Sequence, residues 1–178
     1  MKVLIASDIH GSMFYAEELK RVINQEKPDL IALLGDFLYS GPRNPVKEDY
    51  SPKAVVDILT LFRDKIIAVR GNCDADIDVD VLPFALPRQN EIVVNNRRLV
   101  LIHGDNMNLE ALKLKKGDVL MYGHTHLPQL ASVDGVTILN PGSLSFPKGG
   151  YPHTYMLLDE NEVRLVDLAG RTLEVKSL

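Results

Sequence analysis

Short apolar runs alternate with amphipathic stretches in the first half of the chain. Residues 2–7 are almost wholly apolar, which is typical of a strand buried on both faces. Ser12 then stands where a helix cap belongs, before apolar residues at helical spacing. The predicted elements are a strand at 2–7, a helix at 13–26, a strand at 30–34, a helix at 52–63 and a strand at 65–69. This β-α-β-α-β order implies parallel strands joined by right-handed crossovers.

The second half of the chain is rich in strands. Asn95-Asn96 and Asp134-Gly135 are two-residue turn signals between apolar runs, so each predicts a hairpin. The predicted strands lie at 90–94, 97–102, 119–122, 130–133, 136–139, 155–158, 163–167 and 172–176, with one short helix at 109–115. The order fits an α/β (α+β) fold best. It predicts a four-layer αββα sandwich, in which two mixed β-sheets pack face to face between helices. We expect one domain over residues 1–178.

Composition narrows the class of protein. Apolar residues make up 46% and charged residues 25% of the chain, as in an ordinary globular protein. The net charge of −4 argues against stable nucleic-acid binding, which favours a basic surface. No run approaches the ~20 apolar residues of a membrane span. The first apolar run is too short for a signal peptide and ends at Asp8, so we expect a cytoplasmic protein.

Polar residues collect where the predicted strands end. Ligands of an open α/β sheet bind beyond the carboxyl ends of its strands, so these side chains are expected to converge. Glycines beside them allow sharp turns and close approach to a ligand. The residues at the five strand ends are Asp8 and His10, Asp36, Asn72, His103, and finally His124 and His126.

The chemistry of this set is that of metal ligands. Carboxylate, amide and imidazole groups suit manganese, iron or zinc. Asp8 and His10 alternate, as do His124 and His126, so each pair faces one way if the chain is extended there. A lone aspartate at a strand end is usually a turn or cap residue, and a lone histidine is usually structural. Seven such residues beside glycines predict a metal site.

These residues resemble a known motif set. Asp8-Ile9-His10, Gly35-Asp36, Gly71-Asn72, His103-Gly104 and Gly123-His124-Thr125-His126 follow the ordered motifs of the calcineurin-like metallophosphoesterase superfamily. The segments 41–45, 69–74, 140–143 and 147–150 are similar to those of the YfcE-type bacterial phosphodiesterase family. The resemblance covers residues 8–148. It implies a phosphoric diester hydrolase that acts on a small phosphodiester.

The resemblance also implies a role for each residue. Asp8, His10 and His126 would hold a first divalent metal ion, and Asn72, His103 and His124 a second. Asp36 would bridge the two ions, which activate a hydroxide for in-line attack on phosphorus. Asp36, Asn72 and His103 are thus catalytic through the metals. Manganese is the expected ion, and zinc, iron(II) and nickel remain alternatives because affinity order alone favours zinc over manganese.

Cys73 departs from the wider superfamily, in which a histidine follows the asparagine and protonates the leaving group. A thiol with an ordinary pKa near 8.5 suits that task poorly, so Cys73 is either a weak catalytic residue or inert packing. Arg43 lies in a long loop after Asp36 and is a candidate phosphate-binding residue. The alternative is that Arg43 is an ordinary loop arginine exposed to solvent. Arg70 is a second candidate, with an internal ion pair as its alternative, and Asn72 is a third candidate for contact with the substrate. The aspartates at 74, 76, 78 and 80 predict a solvated segment, because the run lacks the glycine and glutamate of a calcium loop.

Three functions remain open on the sequence. Phosphodiester hydrolysis leads. The same site serves a phosphomonoester or a nucleotide anhydride equally well. A third reading is a non-catalytic interaction scaffold on the same fold, although such proteins usually show gaps in the ligand set. The β-rich tail also offers a sheet edge through which a homo-oligomer can form.

Overall fold

The computed structural model describes residues 1–178 and contains eleven strands and four α-helices. The helices are α1 (Met13–Glu26), α2 (Pro52–Thr60), α3 (Asp78–Val81) and α4 (Leu109–Leu112). The strands are β1 (Val3–Ala6), β2 (Leu30–Leu33), β3 (Ile66–Ala68), β4 (Gln89–Val94), β5 (Arg97–Ile102), β6 (Val119–Met121), β7 (Gln129–Val133), β8 (Val136–Asn140), β9 (Thr154–Leu158), β10 (Glu162–Asp167) and β11 (Thr172–Ser177).

Two mixed sheets form the framework, which confirms the predicted fold class. The first has six strands in the order β11-β10-β9-β1-β2-β3, and the second has five in the order β4-β5-β6-β8-β7. Strands β1, β2 and β3 are parallel to one another, and so are β5, β6 and β8. Five strands that precede the predicted site residues therefore belong to two parallel groups, each with its carboxyl ends at one edge.

Three apolar clusters hold the layers together. The first lies between the six-stranded sheet and helices α1 and α2, and the second lies between the two sheets. The third lies on the outer face of the five-stranded sheet, against α4. Alternation along β1 explains the first two: Leu4 and Ala6 face the helices, while Val3 and Ile5 face the other sheet. Both faces of this strand are buried, as its continuous apolar run predicts.

Helix α1 begins and ends as its sequence predicts. The Ser12 side chain accepts a hydrogen bond from the backbone N–H of Tyr15, which satisfies one free donor of the first turn. Lys27 ends the helix in the left-handed conformation. Helices α2 and α4 stop earlier than predicted, at Thr60 and Leu112. In α4 the cause is Lys113, whose left-handed conformation cannot continue the helix.

The prediction of a solvated aspartate segment at 74–80 is wrong for two of its members. Asp74 is 4% exposed and Asp78 is 7% exposed, and α3 begins at Asp78. Each carboxylate accepts backbone N–H groups, Asp78 from Ala75 and Asp74 from three others described below. Burial of these acids is tolerated because their oxygens are paired. None of the helices is both long and apolar enough to cross a bilayer.

Candidate metal centre

The seven predicted ligand residues lie together at the carboxyl ends of β1, β2, β3, β5 and β6. The first three of these strands belong to one sheet and the last two to the other, so both sheets contribute to one cleft. Three groups of three potential ligand atoms are present, and within each group the atoms lie within 4.8 Å of one another. At least two residues of every group belong to the predicted seven. The convergence expected from the strand ends is therefore present.

One corner of the centre is formed by Asp8, His10 and His126. The Nε2 atoms of the two histidines are 3.3 Å apart. Asp8 Oδ1 lies 3.2 Å from His126 Nε2 and 3.6 Å from His10 Nε2. Ligands about 2.1 Å from one cation lie roughly 3.0–3.4 Å from each other. All three side chains are buried.

The other corner is formed by Asn72, His103 and His124. Asn72 Oδ1 lies 3.0 Å from His103 Nε2 and 2.7 Å from His124 Nδ1. His103 is buried, His124 is half-buried and Asn72 is exposed. Asp36 lies between the corners, because its Oδ2 is 3.7 Å from His10 Nε2 and 3.4 Å from His103 Nε2.

The histidine tautomers show why a cation fits here. Nδ1 of His10, His103 and His126 lies 2.9, 2.6 and 2.8 Å from the backbone oxygens of Tyr39, Leu34 and Phe146, respectively. A nitrogen facing a carbonyl must carry the proton, so each neutral ring directs the lone pair of Nε2 into the centre.

Those lone pairs meet other acceptors. His10 Nε2 faces His126 Nε2, and His103 Nε2 faces Asp36 Oδ2 and Asn72 Oδ1. Asp8 Oδ1 is buried and has no hydrogen-bond partner. Acceptors that converge without donors repel one another unless a cation lies among them. The donor set of carboxylate, amide and imidazole groups suits a divalent metal.

The charge state of these groups follows from their mutual contacts. Burial favours the neutral form of Asp8, but contacts with His10 and His126 outweigh it and hold the pKa of Asp8 well below its usual range. Burial likewise opposes ionisation of His103, yet its contact with Asp36 raises the pKa of His103 to about 9. Burial and the nearby His103 charge lower the pKa of His124. Without metal, the positive charge of protonated His103 therefore offsets part of the negative charge of Asp36.

The backbone at the ligands corrects one sequence prediction. An extended chain at Asp8-His10 and at His124-His126 was the condition for each pair to face one way, but all four residues have φ between 51° and 62°. Asp36 shares this left-handed conformation. It costs a non-glycine residue about 1–2 kcal/mol, and its concentration here shows that the surrounding loops impose it. Asp8 and His10 still meet at one corner, with 3.6 Å between Asp8 Oδ1 and His10 Nε2, whereas His124 and His126 reach different corners.

Two glycines are required by close approach to the ligands. A Cβ atom on Gly71 would collide with Asp36 Oδ1, and a Cβ atom on Gly123 would collide with Ser7 Oγ and lie 2.9 Å from Asp8 Oδ2. Any larger residue at either position would displace a ligand carboxylate. Gly123 thus allows the close approach of the two sheets at this end of the molecule, and Gly71 allows the close approach of two loops of the same sheet.

Asp74 joins the loops that carry Asp36 and Asn72. Its carboxylate accepts the backbone N–H groups of Asp36 at 2.9 Å, Phe37 at 2.7 Å and Gly71 at 2.7 Å. In return, Asp36 Oδ1 accepts the backbone N–H of Cys73 at 2.8 Å. Asp36 therefore keeps Oδ2 free to face both corners. Burial raises the pKa of Asp74 to about 6.

Cys73 lies at the edge of the centre. Its sulfur, a His10 nitrogen and an Asp36 oxygen lie within 4.8 Å of one another. Burial and the Asp36 charge raise the pKa of the thiol to about 12. The thiol is therefore neutral at physiological pH, which makes it both a weak metal ligand and a weak proton donor.

The cleft above the centre has a volume of about 320 Å³ and includes one of the two predicted substrate arginines. Arg43 lines it, but Arg70 does not. Arg70 instead donates to the backbone oxygen of Asp74 and to the Asp76 carboxylate, so the structure supports its alternative reading as an internal partner. Lys148, which was not among the residues predicted from the sequence, also lines the cleft. Its signal was its place in the 147–150 segment quoted above.

Asn140 and Ser143 act behind the ligands. The Asn140 amide donates to the backbone oxygen of Gly123 at 2.8 Å, and the Ser143 hydroxyl donates to that of Asp8 at 3.1 Å. These bonds fix the backbone that carries Asp8 and His124. Supporting bonds of this kind orient metal ligands.

The fold and the ligand set together define a metallophosphoesterase. The calcineurin-like phosphoesterase superfamily domain matches residues 1–162, and the chain belongs to this superfamily. As an enzyme of this class it requires divalent metal.

Individual relatives agree with this assignment. The phosphodiesterase YfcE of Escherichia coli K12 is 40% identical over 176 residues, which cover 97% of this chain and 95% of the relative. A solved structure of the Escherichia coli YfcE phosphoesterase superimposes with a TM-score of 0.92 at 37% identity and covers 99% of each chain. Vps29 of Entamoeba histolytica, solved with Zn²⁺, superimposes with a TM-score of 0.60 over 100% of this chain and 97% of that chain. At 22% identity, the last similarity concerns the fold alone.

Proposed function

We propose that this chain is a metal-dependent phosphodiesterase acting on a small substrate, with residues 1–178 as one catalytic domain. The observation that carries the proposal is the position of Asp36 between two groups of inward-facing ligand atoms. One carboxylate shared by two sites is the arrangement that a two-metal phosphoesterase needs. The 40% identity to a phosphodiesterase supports diesters as substrates.

We propose Asp8, His10 and His126 as ligands of one ion, Asn72, His103 and His124 as ligands of the other, and Asp36 as the bridge. When bound, two divalent ions lower the pKa of a water to about 7 and neutralise charge on the phosphate. Manganese is our first choice for the mixed oxygen and nitrogen ligands. Zinc, iron(II) and nickel are the alternatives.

The remaining residues orient the substrate and the ligands. The backbone oxygens of Tyr39, Leu34 and Phe146 hold three histidines in the tautomer that directs a lone pair inward. Arg43 lines the cleft, and we propose that its guanidinium binds a phosphate oxygen of the substrate. The neutral Cys73 thiol contributes little as an acid, so we infer that turnover depends on the acidity of the leaving alcohol.

Hydrolysis of bis-(p-nitrophenyl) phosphate and of p-nitrophenyl phosphate tests the proposal. Metal-stripped protein should be inactive, and added manganese should restore cleavage of the diester. His103→Ala should abolish it. His153→Gln is the matched control, because His153 contacts Tyr15 and the Leu144 backbone and does not line the cleft.

The other functions give different results in the same assay. Cleavage of the monoester alone would replace the diesterase by a phosphatase, with nucleotide anhydrides as the next substrates to measure. No turnover of either ester by fully metal-loaded protein would favour the scaffold.

A further inference from the structure

Arg43 and Lys148 are two positive side chains that line the metal cleft and belong to neither group of proposed metal ligands. Building on the proposed function, we propose that they bind a second anionic group of the substrate. The preferred substrate is then a small phosphodiester whose alcohol arm carries a further phosphate. Arg43 and Lys148 are specificity-determining residues for that arm.

The first observation is that both cations lack a partner within the protein. Every arginine other than Arg43 and Arg97 forms an ion pair with a carboxylate. The side chains of Arg43 and Lys148 make neither an ion pair nor a hydrogen bond, although both line the cleft. Lys47, on the same loop as Arg43, is by contrast held by the Ser145 backbone oxygen and the Tyr15 ring. Two unpartnered cations beside one cleft leave donors available for a ligand.

The second observation is the charge of the cleft. Two divalent ions bring four positive charges, whereas Asp8 and Asp36 bring two negative ones. The centre alone therefore offsets the single negative charge of a phosphodiester. Arg43 and Lys148 add two further positive charges beside it, in a protein whose net charge is −4. Positive charge that lines a cleft without a carboxylate partner favours an anionic ligand, and a phosphate near pH 7 carries about two negative charges.

The third observation is the polarity of the cleft walls. Apart from Gly41, only Pro42 and Cys73 among the lining residues lack a strongly polar side chain. No Phe, Tyr or Trp ring lines the cleft, and its imidazole rings belong to the proposed metal ligands, so a large apolar or aromatic arm gains little here. Asn44 and His124 provide polar groups instead. A compact, highly charged arm fits these walls, and the volume of about 320 Å³ leaves room for one.

Matched esters test the proposal. The first is the p-nitrophenyl phosphodiester of 3-phosphopropanol, and the second is the same diester of 1,3-propanediol, which ends in a neutral hydroxyl. Manganese-loaded protein should show a KM about tenfold lower for the phosphorylated ester, equivalent to about 1.4 kcal/mol. The double variant Arg43→Gln/Lys148→Gln should lower this preference to about onefold.

Arg97→Gln/Lys176→Gln is the matched control. Arg97 also lacks an ion pair, but it begins β5, about 20 Å along the strand from His103. Lys176 lies on the edge strand β11. This variant has the same change of charge and should keep the tenfold preference.

A binding measurement removes the dependence on turnover. Calorimetric titration with propane-1,3-diphosphonate and with propylphosphonate, neither of which is hydrolysed, should show the same tenfold ratio and the same loss in the double variant. Equal KM and affinity within each pair, or a preference that survives in the double variant, would overturn the proposal. If both esters are cleaved with equal KM, the second-anion proposal fails but the phosphodiesterase activity stands. If the protein cleaves neither ester and also fails to cleave bis-(p-nitrophenyl) phosphate, the proposed function itself is rejected.

Discussion

The two corners of the metal centre differ in how the protein encloses them. At the corner of Asp8, His10 and His126, every side chain is buried. At the other, only His103 is buried, while Asn72 is exposed and His124 half-buried. The same kinds of ligand thus occupy a closed environment and an open one, with Asp36 between them.

Loops explain the difference. The His10 and His126 rings are held by the backbone of Tyr39 and Phe146, which belong to two loops. Lys47 ties these loops together through the Ser145 oxygen and the Phe146 ring. The His124 ring, by contrast, makes its hydrogen bond with Asn72, itself an exposed residue. Fixed ligands hold an ion more firmly, so the closed corner is suited to retention and the open one to contact with substrate.

The largest expected effect comes from removing the residue that the corners share. Asp36→Asn replaces an anionic oxygen that faces both His10 and His103. We expect diester hydrolysis to fall about 10³-fold or more, or roughly 4 kcal/mol. Metal content measured by mass spectrometry should fall below two ions. Asp57→Asn, on the exposed surface of α2, is the control, and near-normal activity of Asp36→Asn would refute the shared role.

A smaller effect is expected from the residue that joins the loops of Asp36 and Asn72. In the unaltered protein, three backbone N–H groups donate to the Asp74 carboxylate. Asp74→Asn replaces one of its oxygens by an amide N–H₂ group, which cannot accept these hydrogen bonds. We expect kcat/KM to fall about 10–100-fold, the range for supporting residues of a metal site. Asp76→Asn should change little because its carboxylate is exposed. An unchanged kcat/KM with both ions retained would show that Asp74 does not position the centre.

The two corners should release their metal ions at different rates. With a chromogenic chelator in excess, we expect two phases whose rates differ about tenfold. A backbone oxygen holds both histidines of the closed corner but only one of the two at the open corner. His124→Ala should lose the fast phase and His126→Ala the slow one. A single phase in the unaltered protein would mean that the difference in exposure has no effect on release.

Acidity should also affect the corners unequally. In metal-free protein the pKa of His103 is raised to about 9, whereas that of His124 is lowered. An ion must displace the His103 proton, so affinity at this corner should fall about tenfold per pH unit below 9. The contact of protonated His103 with Asp36 also stabilises the metal-free fold below pH 6.5, and that stability is lost as pH rises through 9. Chelator competition and thermal unfolding from pH 6 to 10 measure both trends, and flat profiles would contradict them.

Much of the fold followed from local patterns. The strands and α1 were predicted nearly to their ends because apolar periodicity and capping residues act over a few residues. The lengths of α2 and α4 were not. Helix α4 ends at Lys113 in the left-handed conformation, whereas α2 ends although Leu61 keeps a right-handed one. The burial of Asp74 and Asp78 was missed because an aspartate run is usually solvated, and only backbone donors from distant loops reverse that preference.

The sequence by itself determined which chemistry is available: carboxylates, an amide and imidazoles directly after apolar strands, with glycines where side chains do not fit. It did so because strand ends and ligand types are local properties. Tertiary structure decided which nitrogen of each histidine faces the centre, the left-handed backbone at Asp8 and His10, and the approach of Arg43 and Lys148 to one cleft. These depend on contacts between segments far apart in the chain, and no local pattern encodes them.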